Sequence, residues 1–174
     1  ATEIDGRPAY APCRGYLGFE SDQQCFLNAL EFPFLVERGN ELLGRTPMKA
    51  TEEGGIHFIA DVKPGDKFRI GYGDPKEIIA HAKHARDELS KFCPEAIFLY
   101  TCCCRRFLMQ NDVEMETLPF EEVAPTAGFY TYGEFLGKGS HISHYNSTML
   151  VVGMREGEPK QPMDCDVVSW APEA

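Results

Sequence analysis

Residues 95–102, EAIFLYTC, put apolar side chains on both faces of an extended chain, which restricts the segment to a central position in a sheet. Neighbouring segments must then cover it. Upstream, Asp74-Pro75-Lys76-Glu77 starts a helix: Asp74 caps it, Pro75 fits the first turn and Glu77 completes a capping box. Ile78, Ala82, Ala85, Leu89 and Phe92 follow at helical spacing as one buried stripe, and Pro94 terminates the helix after Cys93. Before it, residues 34–38, 42–48, 56–60 and 67–72 read as short strands, divided by Arg38-Gly39-Asn40, Glu53-Gly54-Gly55 and Lys63-Pro64-Gly65-Asp66. Connections so short favour antiparallel hairpins. Downstream, 103–110 and 112–122 read as short helices, the second broken or ended by Pro119, and 126–132 and 147–154 read as strands flanking 95–102. This order predicts an α+β fold, a mainly antiparallel sheet with helices packed against it.

A chain of 174 residues, 43% of them hydrophobic, can bury one proper core but is short for two typical domains. The segmentation expected is a lead-in at 1–30, one folded unit at 31–156 and a tail at 157–174, where Val167, Val168 and Trp170 can dock. The chain opens at Ala1 on a loop-like stretch and is expected to be cut from a longer polypeptide. No apolar run approaches the ~20 residues that span a bilayer, and a formal net charge of −10 disfavours attachment to nucleic acid or anionic lipid. Neither nucleic acid nor membrane is expected as a partner. Seven cysteines, three of them consecutive, fit a reducing cytoplasm better than a disulfide framework.

Side chains with chemistry gather in three places. Arg105 and Arg106 directly follow the buried strand where a helix begins, so guanidinium donors and free backbone N–H groups can meet a carboxylate there. The alternative is a pair of solvated or salt-bridged arginines. In 129–134, FYTYGE, strand alternation puts Tyr130, Tyr132 and Glu134 on one face, a candidate pocket wall. His141, His144 and Asn146 lie in the polar, Gly-rich crossing GKGSHISHYN, where His144 and Asn146 can close over a ligand; Asn146 alternatively fixes a turn. Cys102 and Cys104 with His141 and His144 amount to four potential zinc ligands, but consecutive cysteines on a strand point to alternating faces, so no metal site and no cofactor are expected.

The segments AGFYTYGEFLGKGSHISHYNSTMLVVGMR at 127–155, YTCCCRR at 100–106 and IGYGDP at 70–75, taken in order, resemble the carboxy-terminal half of the FIST signal-sensing domain. The resemblance covers residues 10–155. It implies a domain that senses a small ligand of the amino-acid or organic-acid class, preceded by an amino-terminal half and coupled to an output module outside this chain. It also marks His144, Tyr145 and Asn146 as the element before the last strand, and adds Cys102, Arg105, Arg106, Tyr130, Tyr132 and Glu134 as ligand-binding candidates. The chain departs from the family pattern in its cysteine triplet, where a single cysteine is usual, and in a short 110–122 segment.

The expected function is therefore cytoplasmic sensing by binding, without turnover. Two alternatives stand beside it: a thiol-dependent enzyme or redox sensor built on Cys102, Cys103 and Cys104, and a protein-interaction domain without a ligand. No nucleophile elbow, P-loop, dinucleotide fingerprint or His-Glu-x-x-His motif supports an enzyme.

Overall fold

The computed structural model describes residues 1–39 and 41–157. The expected docking of Val167, Val168 and Trp170 lies outside the described residues, as does all of the tail beyond 157. The architecture is α+β, with mostly antiparallel sheets.

Residues 1–30, read as a lead-in, are folded. A small hairpin, β1 (Glu3–Ile4) and β2 (Arg7–Pro8), leads into α1 (Tyr10–Leu17) and α2 (Asp22–Glu31). Ser21 caps α2 by accepting from the Gln24 N–H at 3.3 Å. Next come β3 (Phe34–Arg38), β4 (Glu41–Arg45), β5 (Pro47–Ala50), β6 (Ile56–Phe58) and β7 (Phe68–Ile70). The expected strand at 42–48 is thus two strands divided at Thr46. β3 sits between β4 and β7, antiparallel to both, and β5 pairs antiparallel with β6 across a register shift. Cys13, Leu17, Phe19, Cys25, Ala29, Phe34 and Ile56 form the core between these helices and strands. Phe34, Phe58 and Phe68 close it as an aromatic triangle with centroids 5.5–5.9 Å apart.

The second half is built on α3 (Pro75–Ser90), β8 (Ala96–Cys102), α4 (Cys103–Met109), a 3₁₀ turn (Gln110–Asp112), α5 (Glu114–Glu121) and β9 (Thr126–Thr131). It ends with β10 (Glu134–Lys138), β11 (His141–Tyr145) and β12 (Met149–Met154). Asp74 caps α3, accepting from the Lys76 N–H at 2.9 Å. The helix unwinds three residues before Cys93, because Lys91, Phe92 and Cys93 bond three residues back and Cys93 adopts φ +53°. β8 lies between β12, antiparallel, and β9, parallel. The last strands therefore flank 95–102 as expected, and α4 and α5 supply the crossover that a parallel pair requires.

Two sequence expectations fail here for physical reasons. Among the described residues one face of β8 is covered: Ile97 and Leu99 pack with Ala82, Phe120 and Ala124, whereas Phe98 and Tyr100 join Phe129 in a half-exposed aromatic cluster, centroids 4.9–5.8 Å apart. Pro119 lies inside α5 instead of ending it. Its missing N–H costs a single helical bond, and fully buried Glu116 and Phe120 anchor the turns on either side.

A third cluster joins the halves. Leu30 and Phe26 of α2, with Ile59, pack against Cys102, Cys103 and Cys104 at the junction of β8 and α4.

Candidate functional site

The strand β8 ends at Cys102, which is the N-cap of α4 with extended backbone, φ −61° and ψ 135°. Cys103 and Cys104 already belong to the helix. The chain turns, so consecutive side chains no longer alternate, and the three sulfurs lie within 4.8 Å of one another. The expectation that they point to opposite faces is overturned by the position of the strand end. They are buried, at 0%, 7% and 2% exposure for Cys102, Cys103 and Cys104.

The segment before β12 is stitched over this corner. Cys102 N–H donates to Thr148 O at 2.9 Å, and the amides of Ser147 and Cys104 face the Cys102 sulfur. The hydrogen bond from Cys104 pulls the Cys102 thiol down to about 6, against burial, with help from those amides. Cys104 is pushed up by the same bond and by burial, and burial pushes Cys103 up to about 11.

Glu134 completes the cluster. It is 2% exposed, and Thr131 donates a short hydrogen bond to its Oε1. Burial raises its carboxyl to about 8, and the charge of Cys102 adds to the effect. Oε2 of Glu134, both polar atoms of the buried Asn146 side chain and the Ser147 hydroxyl have no hydrogen-bond partner among the described residues. Buried polar atoms are seldom left so. Glu134 does not share a face with Tyr130 and Tyr132, because β9 ends at Thr131 and the chain turns through Gly133 before β10 begins.

The crossing 137–146 is mostly strand, not loop. β10 and β11 pair from Glu134↔Tyr145 to Lys138↔His141 around a tight turn with Gly139 at φ +60°. Fully buried Arg45 of β4 holds this hairpin, donating to His144 O at 3.1 Å, to Asp61 O at 2.7 Å and to Gly44 O at 2.8 Å. Glu41 accepts from the Tyr145 hydroxyl at 2.8 Å and from Ser143. The His144 ring stacks on Phe135 at 4.3 Å and sits over Gly133, where a Cβ would lie 2.3 Å from its Nε2. Burial, then the Arg45 charge, lowers its pKa. His141 is exposed at the hairpin end, 4.0 Å from Glu41. The two histidines thus have other neighbours than the cysteines.

Arg105 is committed elsewhere. Its guanidinium forms a buried ion pair with Glu116 and donates to Ser147 O at 3.2 Å, so the alternative of a salt-bridged arginine describes it. Arg106 is exposed and lies over the Tyr130 ring, 5.3 Å from its centroid. Tyr130 lines a cleft of about 230 Å³ between β9 and α5, together with Leu99, Thr101, Thr117, Glu121 and Phe129. Tyr132 is 73% exposed beyond it. The sequence candidates therefore divide: Cys102 and Glu134 meet in the buried corner, which Asn146 borders in sequence; Arg106 lies over the ring of Tyr130, which lines the cleft; Arg105 supports the corner; His144 caps Gly133.

Sequence reasoning passed over Arg45, Glu41 and Glu116. An arginine inside the apolar strand LLGRT was the available signal for the first, since a charge there must be paired. Glu116 carried none, its partner lying 11 residues away with a turn between.

The FIST C domain matches residues 9–136, which takes in α1 through most of β10. The chain belongs to this family. FIST domains are sensory domains of signal-transduction proteins. The match begins at Ala9, so the helices α1 and α2 belong to the FIST C domain as well. No curated protein and no solved structure matches the chain. Among the described residues, no helix is long and apolar enough to cross a membrane.

Proposed function

We propose that this FIST C domain binds a small amino acid or organic acid in the cleft along β9 and passes the change to an output module outside the chain. The observation that carries the reading is the pairing of Arg106 with Tyr130, a cation held over an aromatic ring that lines a cleft of about 230 Å³. Arg106 supplies a partner for a carboxylate, Glu121 on the α5 side supplies one for an ammonium group, and Thr101 and Thr117 add hydroxyls. The volume suits a metabolite smaller than a drug-sized molecule.

Transmission follows from connectivity. β9 runs through Thr131 into Glu134 and the β10–β11 hairpin, which Arg45 and Glu41 tie to β4. A ligand that prefers one position of β9 shifts the hairpin with it, and differential contact is all a sensor needs. The domain works by binding, without turnover, in the cytoplasm. The buried state of Cys102 supports this over a nucleophile, which must meet substrate. The net charge of −10 supports a partner that is neither nucleic acid nor membrane.

A thermal-shift screen of the chain against amino acids and small organic acids tests the reading. At about 100 times Kd a ligand adds roughly 2.7 kcal/mol, a rise of several degrees at this size. Arg106→Ala and Tyr130→Ala should each abolish that rise. A silent screen, or a shift both variants retain, removes the cleft as the site.

A further inference from the structure

The cleft along β9 makes no use of the three sulfurs at the junction of β8 and α4. They converge within 4.8 Å of one another, and the unpartnered Oε2 of buried Glu134 belongs to a carboxyl that the Cys102 thiol faces. We propose that Cys102, Cys103 and Cys104 bind a thiophilic divalent cation of the zinc type, and that Glu134, whose carboxyl faces Cys102 but lies outside the cluster of the three sulfurs, swings in to fill the fourth position.

Distances come first. A tetrahedral ion with metal–sulfur bonds of about 2.3 Å needs its sulfurs about 3.8 Å apart. Sulfurs already within 4.8 Å need to close by only about 1 Å, a shift of the size that side-chain rotation supplies. The turn from strand to helix does the gathering, and a continuous strand would have separated Cys103 from its neighbours.

Donor type and charge select the ion. Three soft sulfurs exclude hard cations such as magnesium and calcium, which take oxygen ligands. Monovalent copper also prefers thiolates, but it has no use for the carboxylate, whereas zinc accepts sulfur and oxygen together. Three thiolates and one carboxylate carry four negative charges, of which a divalent ion offsets two and a monovalent ion one. In a pocket walled by Leu30, Phe26 and Ile59 that difference favours the divalent ion. Binding releases to solvent every proton still held by the thiols and by Glu134, with no change of oxidation state.

The test uses the full reduced chain titrated with Co(II), then Zn(II). The expected result is one ion per chain by native mass spectrometry, and a thiolate-to-cobalt charge-transfer band that Zn(II) removes. Loss of a direct ligand should exceed the roughly 10- to 100-fold effect of a supporting residue. Cys103→Ser and Cys104→Ser should therefore each weaken zinc binding by at least about 100-fold. Glu134→Gln should weaken it by less and leave the sulfur band in place. Cys93→Ser, at an exposed cysteine outside the cluster, should change nothing. Absence of a bound ion, a cobalt spectrum without the thiolate band, or affinity that survives both serine variants overturns the proposal. If the serine variants lose their far-ultraviolet dichroism, the spectrum of the unsubstituted chain decides alone.

Discussion

Arg105 and Glu116 are both almost completely buried and are each other's main compensation. Removing one strands the other as a bare charge in the interior, which costs about 3–5 kcal/mol, whereas replacing both by apolar residues of similar volume is far milder. Arg105→Ala and Glu116→Ala are thus expected to lower urea midpoints sharply, and Arg105→Met combined with Glu116→Leu to recover most of the loss. Additive losses in the double variant would show that the pair is not coupled. The same burial explains why Arg105 was harder to read in sequence than Arg106. Tandem arginines at an element boundary look alike, but α4 turns one toward Glu116 and Ser147 and the other toward Tyr130. Only the angle between β8 and α4 distinguishes them, and a sequence does not display angles.

The hairpin of β10 and β11 is held mainly by polar contacts. Phe135 and Ile142 are exposed, while the ties to β4 run through Arg45, Glu41, Ser143 and Tyr145. Arg45→Leu removes the donors to His144 O and Asp61 O and should cost about 3 kcal/mol. Hydrogen exchange should locate that cost: amides of 134–145 lose protection, and those of β8 and β12, paired along six residues, keep theirs. Uniform loss across both sheets would mean that the hairpin and the central sheet open together. This mode of attachment is also why the hairpin escaped a sequence reading. Strand detection rests on an apolar alternation, and FLGK and HISHY offer little of one. By contrast, the start of α3 and the extent of β8 were legible to within a residue, because a capping aspartate announces the first and an apolar run the second, whereas the end of α3 came three residues before the expected Cys93. The cysteine corner was visible as a motif but not as a cluster, since its convergence depends on the strand ending at Cys102 and not one residue later.

At the scale of the whole molecule, charge and stability should part company in acid. The sequence pI is about 4.9, so the net charge of −10 vanishes near that pH and solubility should pass through its minimum there. The fold should not weaken at the same point. Asp66 accepts from Arg38 at 2.6 Å and from the Lys63 N–H at 2.7 Å, and the Arg38 hydrogen bond holds its carboxyl below the usual value. A carboxyl depressed in the folded state stabilises above its unfolded pKa, about 3.9, and that contribution is lost as pH falls through the folded value. The contribution of Asp66 should therefore hold as pH falls past the solubility minimum and decline only below about pH 4, while Cys102, down at about 6, and Glu134, up at about 8, act on stability with opposite signs at higher pH. Asp66→Asn should lower stability at pH 7 by about 1 kcal/mol, because the pair is only partly buried, and flatten the acid limb. Melting curves of both proteins from pH 7 to 3 check this. A fall that begins at pH 5 in both would assign acid sensitivity to net charge, and the loop at Asp61–Asp66 would then have no part in it.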